Sequence, residues 1–248
     1  MTNSAITAKN LTKKFGDFVA VNHITFDVAE GEIFGFLGAN GAGKTTAMRM
    51  LCGLLNPTSG EGRVAGFDIY REAQKIKKNI GYMSQKFSLY DDLTAFENMR
   101  LFGGIYGMND QEICARADYW FRELSLPTER NLLTKSLPLG VKQKVAFAVA
   151  TFHNPKIVFL DEPTGGVDPI ARRTFWELIC QASEQGITVF VTTHYMDEAE
   201  YCHRVSIMVD GRIEALDTPQ NLREQFEAKN MDGVFQQLAR KATRVEIE

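Results

Sequence analysis

The sequence predicts an α/β fold: a parallel central sheet, an antiparallel β layer at the N-terminal end, and a helical subdomain inserted into the core. Three observations predict it. Ile33-Phe34-Gly35-Phe36-Leu37, Ile157-Val158-Phe159-Leu160 and Thr188-Val189-Phe190-Val191 are continuous apolar runs, the pattern of strands buried on both faces. The stretch from Ala5 to Glu32 instead alternates apolar and polar residues, as a half-buried antiparallel strand does. Between about Lys86 and Lys144 the strand signals vanish and helical spacing takes over.

Taken in order, Ile24, Phe26 and Val28 share one face of an early strand while Thr25 and Asp27 face the other, and Gly16-Asp17 supplies a turn. The run Ile33 to Leu37 ends in a glycine-rich loop and passes into a helix over Lys44 to Leu55, closed by Asn56-Pro57. Helices are expected over Thr94 to Tyr106 and Asp110 to Leu124. A crossover helix over Ile170 to Gln185 joins two of the buried strands, which makes those strands parallel. Val205 to Val209 and Arg212 to Ala215, separated by Asp210-Gly211, form a hairpin, because Asp-Gly suits a type I′ turn. The expected organisation is one domain over 1–248. Within it, 1–85 and 145–220 form the core, 86–144 the helical insertion and 221–248 a helical, then polar, tail.

Composition bounds the function. The 248 residues are 44% hydrophobic and 24% charged, close to ordinary globular usage, which excludes fibrous and wholly disordered classes. A net charge of −3 supplies no general attraction for nucleic acid or anionic lipid, and no nucleic acid partner is expected. No apolar stretch reaches the roughly 18–20 residues needed to cross a bilayer, so the chain is not itself a channel. Met1-Thr2-Asn3-Ser4 carries no basic and apolar leader pattern, and the cytoplasm is the expected compartment. Cys52, Cys114, Cys180 and Cys202 are scattered without a C-x-x-C pair, which argues against zinc and against a disulfide framework.

The strongest chemical signal is Gly38-Ala39-Asn40-Gly41-Ala42-Gly43-Lys44-Thr45, which fits G-x-x-x-x-G-K-[ST] and sits between a buried strand and a helix. In such a phosphate loop the backbone N–H groups cradle phosphate oxygens. Lys44 reaches the β- and γ-phosphates, and the Thr45 hydroxyl reaches Mg²⁺. A second strand ends in Asp161-Glu162. Ligands of parallel sheets sit at the carboxyl ends of strands, so these carboxylates emerge beside the loop. Asp161 is placed to hold Mg²⁺, and Glu162 to polarise the water that attacks the γ-phosphate.

Together these residues resemble the nucleotide-binding subunits of ATP-binding cassette (ABC) transporters, over about residues 5 to 220. Lys14-Phe15-Gly16 is similar to the family's aromatic loop, Tyr82-Met83-Ser84-Gln85 to its Q-loop and Asp161-Glu162-Pro163-Thr164 to its extended Walker B. Gly165-Gly166-Val167-Asp168 is similar to its D-loop and Thr192-Thr193-His194 to its switch histidine. The resemblance implies a RecA-like phosphate-loop NTPase core that binds and hydrolyses ATP with Mg²⁺. It implies catalytic roles for Lys44, Gln85, Glu162 and His194, and Mg²⁺ contacts from Thr45, Gln85 and Asp161. ATP contacts would come from Phe15 on adenine, from Gly38, Ala39, Asn40, Gly41, Ala42, Gly43, Lys44, Thr45 and Thr46, and from Leu139, Gly140 and Asp168.

The family's signature, Leu-Ser-Gly-Gly-Gln, is matched here by Leu137-Pro138-Leu139-Gly140-Val141, followed by Lys142-Gln143-Lys144. Pro138 has neither hydroxyl nor N–H, so the serine contact that one family subunit makes to ATP held by another cannot form. The main-chain amides of Leu139 and Gly140 remain for that role, and a weakened or asymmetric contact is expected. Similar degenerate signatures occur in ABC-2-type exporter ATPases.

The resemblance further implies a second cassette as dimer partner and separate integral membrane permease subunits, with the chain held at the inner face of the cell membrane. ATP-driven closure of two cassettes would power export. Phe87 to Glu97 would form part of a groove for a permease helix; read from the residues alone, the same stretch is equally an ordinary surface. Two further readings stay open: a cassette that dimerises but hydrolyses poorly beside an active partner, and a non-transport ATPase acting on DNA or ribosomes. The chain is also compatible with being one half of a tandem polypeptide.

Overall fold

The structure is a computed structural model that describes residues 4–85 and 89–245, with side chains to residue 240. The chain opens with two antiparallel strands, β1 (Ser4–Phe15) and β2 (Phe18–Ala29), joined at the predicted Gly16-Asp17 turn. Ile24, Phe26 and Val28 are buried while Thr25 and Asp27 are exposed, as the alternation requires. Then follow β3 (Ile33–Gly38), α1 (Lys44–Leu51), β4 (Ser59–Val64), β5 (Phe67–Asp68), α2 (Ala73–Asn79) and β6 (Ile80–Met83). The helical insertion holds α3 (Ala95–Ile105) and α4 (Asp110–Glu123), and α5 (Leu139–Thr151) leads back to the core. The core closes with β7 (Ile157–Asp161), α6 (Pro169–Glu184), β8 (Thr188–Thr193), β9 (Arg204–Val209) and β10 (Arg212–Asp217). Last come α7 (Pro219–Gln225) and α8 (Met231–Val245).

Two sheets result. The antiparallel layer has the order β2-β1-β4-β5, and the central sheet the order β10-β9-β3-β8-β7-β6. Strands β9, β3, β8, β7 and β6 pair in parallel, and β10 closes one edge antiparallel to β9. The β9–β10 turn has positive φ at both Asp210 and Gly211, the type I′ geometry that the dipeptide predicts.

The apolar strands need burial on both faces because each face has its own core. Phe34, Phe36, Phe159 and Phe190 point to the antiparallel layer, where Phe26 stacks on Phe34 at 5.5 Å. Leu37, Val158, Leu160, Val189 and Val191 point the other way, against α5 and α6. Burying each such side chain contributes roughly 1.5–3 kcal/mol.

Three local outcomes differ from expectation. The helix after the glycine loop stops at Leu51, not Leu55: Cys52 caps it, and the N–H groups of Leu54 and Leu55 both turn back onto the Arg49 carbonyl. The expected boundary between 144 and 145 falls within α5, one continuous helix. Strands β4, β5 and β6 complete the two sheets although they carry no long apolar run, because Gly60 and Gly62 dilute β4 and β6 is four residues long.

Helices α3 and α4 begin where the sequence predicts. Thr94 and Asn109 each form a capping box, with Glu97 and Glu112 respectively, fixing the starts of α3 and α4. The expected groove over Phe87 to Glu97 starts in residues that lie outside the described ones. From Leu89 onward the chain is pinned by Asn98, whose amide donates to Tyr90 O, Thr94 O and Thr134 Oγ1 and accepts from the Tyr90 N–H.

Candidate active site

The phosphate loop leaves the end of β3 at the centre of the sheet and enters α1. Gly43 precedes the helix at φ +103°, and a Cβ there would lie 2.3 Å from the Ala20 carbonyl oxygen, so only glycine fits. The loop borders a cleft of about 290 Å³ lined by Phe18, Ala20, Asn40, Gly41, Gly43, Lys44, Thr45, Thr46, Gln85 and Glu162. Elements far apart in sequence therefore converge on one hollow.

Lys44 is buried, and its ammonium donates to the carbonyls of Gly38 at 2.8 Å and Ala39 at 3.0 Å. It also lies 3.3 Å from Glu162 Oε1. The other oxygen, Oε2, accepts from the Gln85 amide at 3.0 Å and faces His194 Nδ1 at 3.0 Å. One carboxylate thus joins the loop lysine, the Q-loop glutamine and the switch histidine. Glu162 holds this position from a left-handed backbone, φ +48°, with its N–H on the carbonyl and hydroxyl oxygens of Thr192. Such a conformation costs about 1–3 kcal/mol in a residue other than glycine and turns the side chain away from the line of β7.

Asp161, the last residue of β7, is buried and accepts at Oδ1 from Thr45 Oγ1 at 3.1 Å and Thr192 Oγ1 at 2.7 Å. The Thr45 bond joins the start of α1 to the end of β7. These oxygens suit a hard divalent cation: Mg²⁺ is usually held by one or two carboxylates together with waters and substrate phosphates. Among the described residues no group of three or more His, Cys, Asp or Glu is placed to hold a metal ion. Burial behind Asp161 raises Cys52 well above the usual thiol range, and burial with the Asp161 charge pushes Tyr82 to about 12.

The remaining expected residues sit elsewhere. Phe15 is half exposed with Lys13 Nζ 5.1 Å from its ring centre, and its cross-strand neighbour Phe18 lines the cleft in its place. Leu139 and Gly140 open α5 behind Pro138, without a side-chain cap. Asp168 caps α6, accepting from the N–H groups of Ile170 and Ala171. None of these four, Phe15, Leu139, Gly140 and Asp168, lines the cleft. Leu139 does approach the D-loop: a Cβ on Gly166 would lie 3.6 Å from Leu139 Cδ2. No pattern in the sequence assigns a role to Phe18 or to Thr192. The alternation of β2 signals that Phe18 is exposed but not which loop it faces.

A glycine-rich loop between β3 and α1, with two carboxylates at the end of β7, the parallel strand one beyond β8, defines a phosphate-loop nucleotide-binding protein. The family model described as ABC transporter matches residues 21–165. The chain therefore belongs to the ABC transporter family and is an ABC ATPase cassette. It is 49% identical over 222 residues to the probable multidrug ABC transporter ATP-binding protein YbhF of Escherichia coli, covering 90% of this chain and 38% of that protein. It is 36% identical to the linearmycin resistance ATP-binding protein LnrL of Bacillus subtilis, covering 88% of this chain and 70% of that one. Among solved structures, the ATP-binding subunit of an ABC transporter superposes with a TM-score of 0.85 at 27% identity, covering 95% of this chain and 99% of its own. The cassette MJ0796, in a dimeric post-hydrolysis state bound to ADP and Pi, gives 0.77 at 29% identity and covers 86% and 98%. A subunit of the cbiONQ transporter complex gives 0.82 at 25% identity, covering 98% and 97%. Among the described residues no helix is long and apolar enough to cross a membrane.

Proposed function

We propose that this cassette binds ATP with Mg²⁺ at the phosphate loop, hydrolyses it, and so powers a multidrug-type exporter whose membrane pathway is supplied by separate transmembrane subunits. The observation that carries the reading is the meeting of Lys44, Gln85 and His194 on the Glu162 carboxylate. Names of relatives support the transport role: YbhF is called a probable multidrug transporter protein and LnrL a linearmycin resistance protein.

In this mechanism the loop amides and Lys44 bind the phosphate tail. Entry of the γ-phosphate gives the Lys44 ammonium an oxygen partner in place of Glu162 and frees that carboxylate for water. Glu162 then accepts the proton as water oxygen bonds to the γ-phosphorus and the bond to the ADP oxygen breaks, giving ADP and phosphate. Gln85 holds Glu162 and the water in line, and His194 stabilises the developing charge on the γ-phosphate. Asp161, Thr45 and Gln85 would hold Mg²⁺, which when bound neutralises charge on the β- and γ-oxygens.

Two cassettes would close face to face over ATP, with the main-chain amides of Leu139 and Gly140 and the Asp168 region of one copy facing ATP on the other; the related cassette MJ0796 is dimeric when bound to ADP and Pi. Half-exposed Tyr90, Leu101 and Ile105, in the segment that follows Gln85, offer the apolar face for a permease helix, and the chain would lie at the cytoplasmic side of the membrane.

Nucleotide titration and steady-state phosphate release test the reading. Lys44→Ala is expected to weaken ATP binding about 10- to 100-fold, because charged hydrogen bonds contribute roughly 1.5–3 kcal/mol. Unaltered binding in that variant overturns the assignment of the loop. Co-purification with a membrane permease checks the transport role.

A further inference from the structure

Two segments carry the chemistry: the one that runs through Glu162 into α6, and the one that follows β8 through His194. Apart from the Glu162–His194 contact itself, they are tied by a buried side chain. Glu198, in the 3-10 turn Met196–Tyr201, is fully buried, and its Oε1 accepts from Thr164 Oγ1 at 2.6 Å. Thr164 is itself fully buried and lies two residues after Glu162. Arg172 of α6 lays its guanidinium over the Tyr195 ring at 4.0 Å, and Tyr195 packs on His194 with ring centres 4.2 Å apart.

The contact is incomplete in a telling way. Arg172 Nε stops 3.7 Å from Glu198 Oε1, beyond hydrogen-bond reach. Both Arg172 Nε and Glu198 Oε2 are buried without a hydrogen-bond partner. Orphaned buried groups of this kind are rare, because each has lost water and gained nothing in return. Here an unpartnered donor stands 3.7 Å from a carboxyl whose Oε1 is taken by Thr164 and whose Oε2 is the unpartnered acceptor.

We propose that Glu198 is a positioning residue: its carboxyl joins Thr164 to Arg172, and closure of the Arg172 contact locks the His194 segment against the Glu162 segment during turnover. This rests on the ATPase reading above. Glu198 touches no substrate in this scheme. It acts through Thr164 on the backbone that carries Glu162, and through Arg172 and Tyr195 on His194.

The test uses the full chain with ATP and Mg²⁺, reading kcat and KM separately, with thermal unfolding as the folding control. Thr164→Val keeps the shape and removes the hydroxyl; Thr164→Ser keeps the hydroxyl. Thr164→Val, Arg172→Gln and Glu198→Gln are each expected to lower kcat at least tenfold with KM within about twofold, and Thr164→Ser to retain most of it. Equal loss in the Ser and Val variants, or kcat unchanged in folded Thr164→Val and Arg172→Gln, overturns the proposal. Should Glu198→Gln fail to fold, the Thr164 and Arg172 variants decide. A second readout does not depend on turnover: the imidazole NMR signals of His194 shift in Thr164→Val and return in Thr164→Ser. If the wild-type chain turns over no ATP, the ATPase reading fails, while unmoved His194 signals in Thr164→Val sink the positioning role by itself.

Discussion

The Gln85 amide donates to Glu162 Oε2 at 3.0 Å across a sequence separation of 77, so the residue immediately before the helical insertion is bonded directly to the carboxylate proposed above as the general base. A movement of the insertion that displaces Gln85 breaks or remakes that bond.

Glu162→Gln keeps the size of the side chain but removes the proton acceptor. Turnover should fall about 10²- to 10⁴-fold, the usual worth of a general base, with nucleotide binding retained. Gln85→Ala, which leaves the carboxylate but unties it, should cost less. Single-turnover phosphate release on both variants checks the ranking.

Adenine needs an aromatic platform, and two phenylalanines face each other across the β1–β2 turn. Because Phe18 lines the cleft and Phe15 does not, Phe18→Ala should weaken ATP binding more than Phe15→Ala. Losing a stacking ring costs roughly 1–3 kcal/mol in nucleic-acid cases. Fluorescent-nucleotide titration of the two variants measures the difference, and equal losses would mean that both rings grip the base.

Gly43→Ala should abolish ATP binding, since the new methyl meets the Ala20 carbonyl at 2.3 Å and the backbone must leave φ +103°. Gly41, also at positive φ but with open space around its Cβ direction, should tolerate alanine better. Calorimetric titration of the pair separates crowding from lost flexibility.

His153 gives the fold a pH dependence. Burial pushes its pKa down to about 4, against a bond to the Ile80 carbonyl that raises it and the Arg116 charge that lowers it further. The unfolded chain therefore binds this proton more readily than the folded one. The stabilisation is complete above about pH 6.5 and is lost as pH falls toward 4. His153→Gln should flatten that part of the curve of melting temperature against pH relative to the wild type.

The sheet was legible because burial on two faces leaves a plain mark: Ile33 to Leu37, Ile157 to Leu160 and Thr188 to Val191 admit few other readings. So were Lys44, Thr45, Asp161 and Glu162, whose chemistry lies in fixed local spacing. Phe18 was not, because its role depends on which strand end the cleft lies beside, and Glu198 was not, because a buried carboxyl differs from a surface one only in what packs around it. The early end of α1 was hidden as well, since Cys52 to Leu55 continue an apolar pattern while their amides turn back to Arg49.

Helix α5 sits unusually close to the sheet: a Cβ on Gly81 would lie 1.9 Å from the Ala150 carbonyl oxygen. The helix is 13 residues long, about 20 Å at 1.5 Å per residue, with one end near the surface at Leu139 and the other wedged against β6. The helix and β6 thus meet backbone to backbone, in the strand whose last residue, Met83, stands two residues before Gln85.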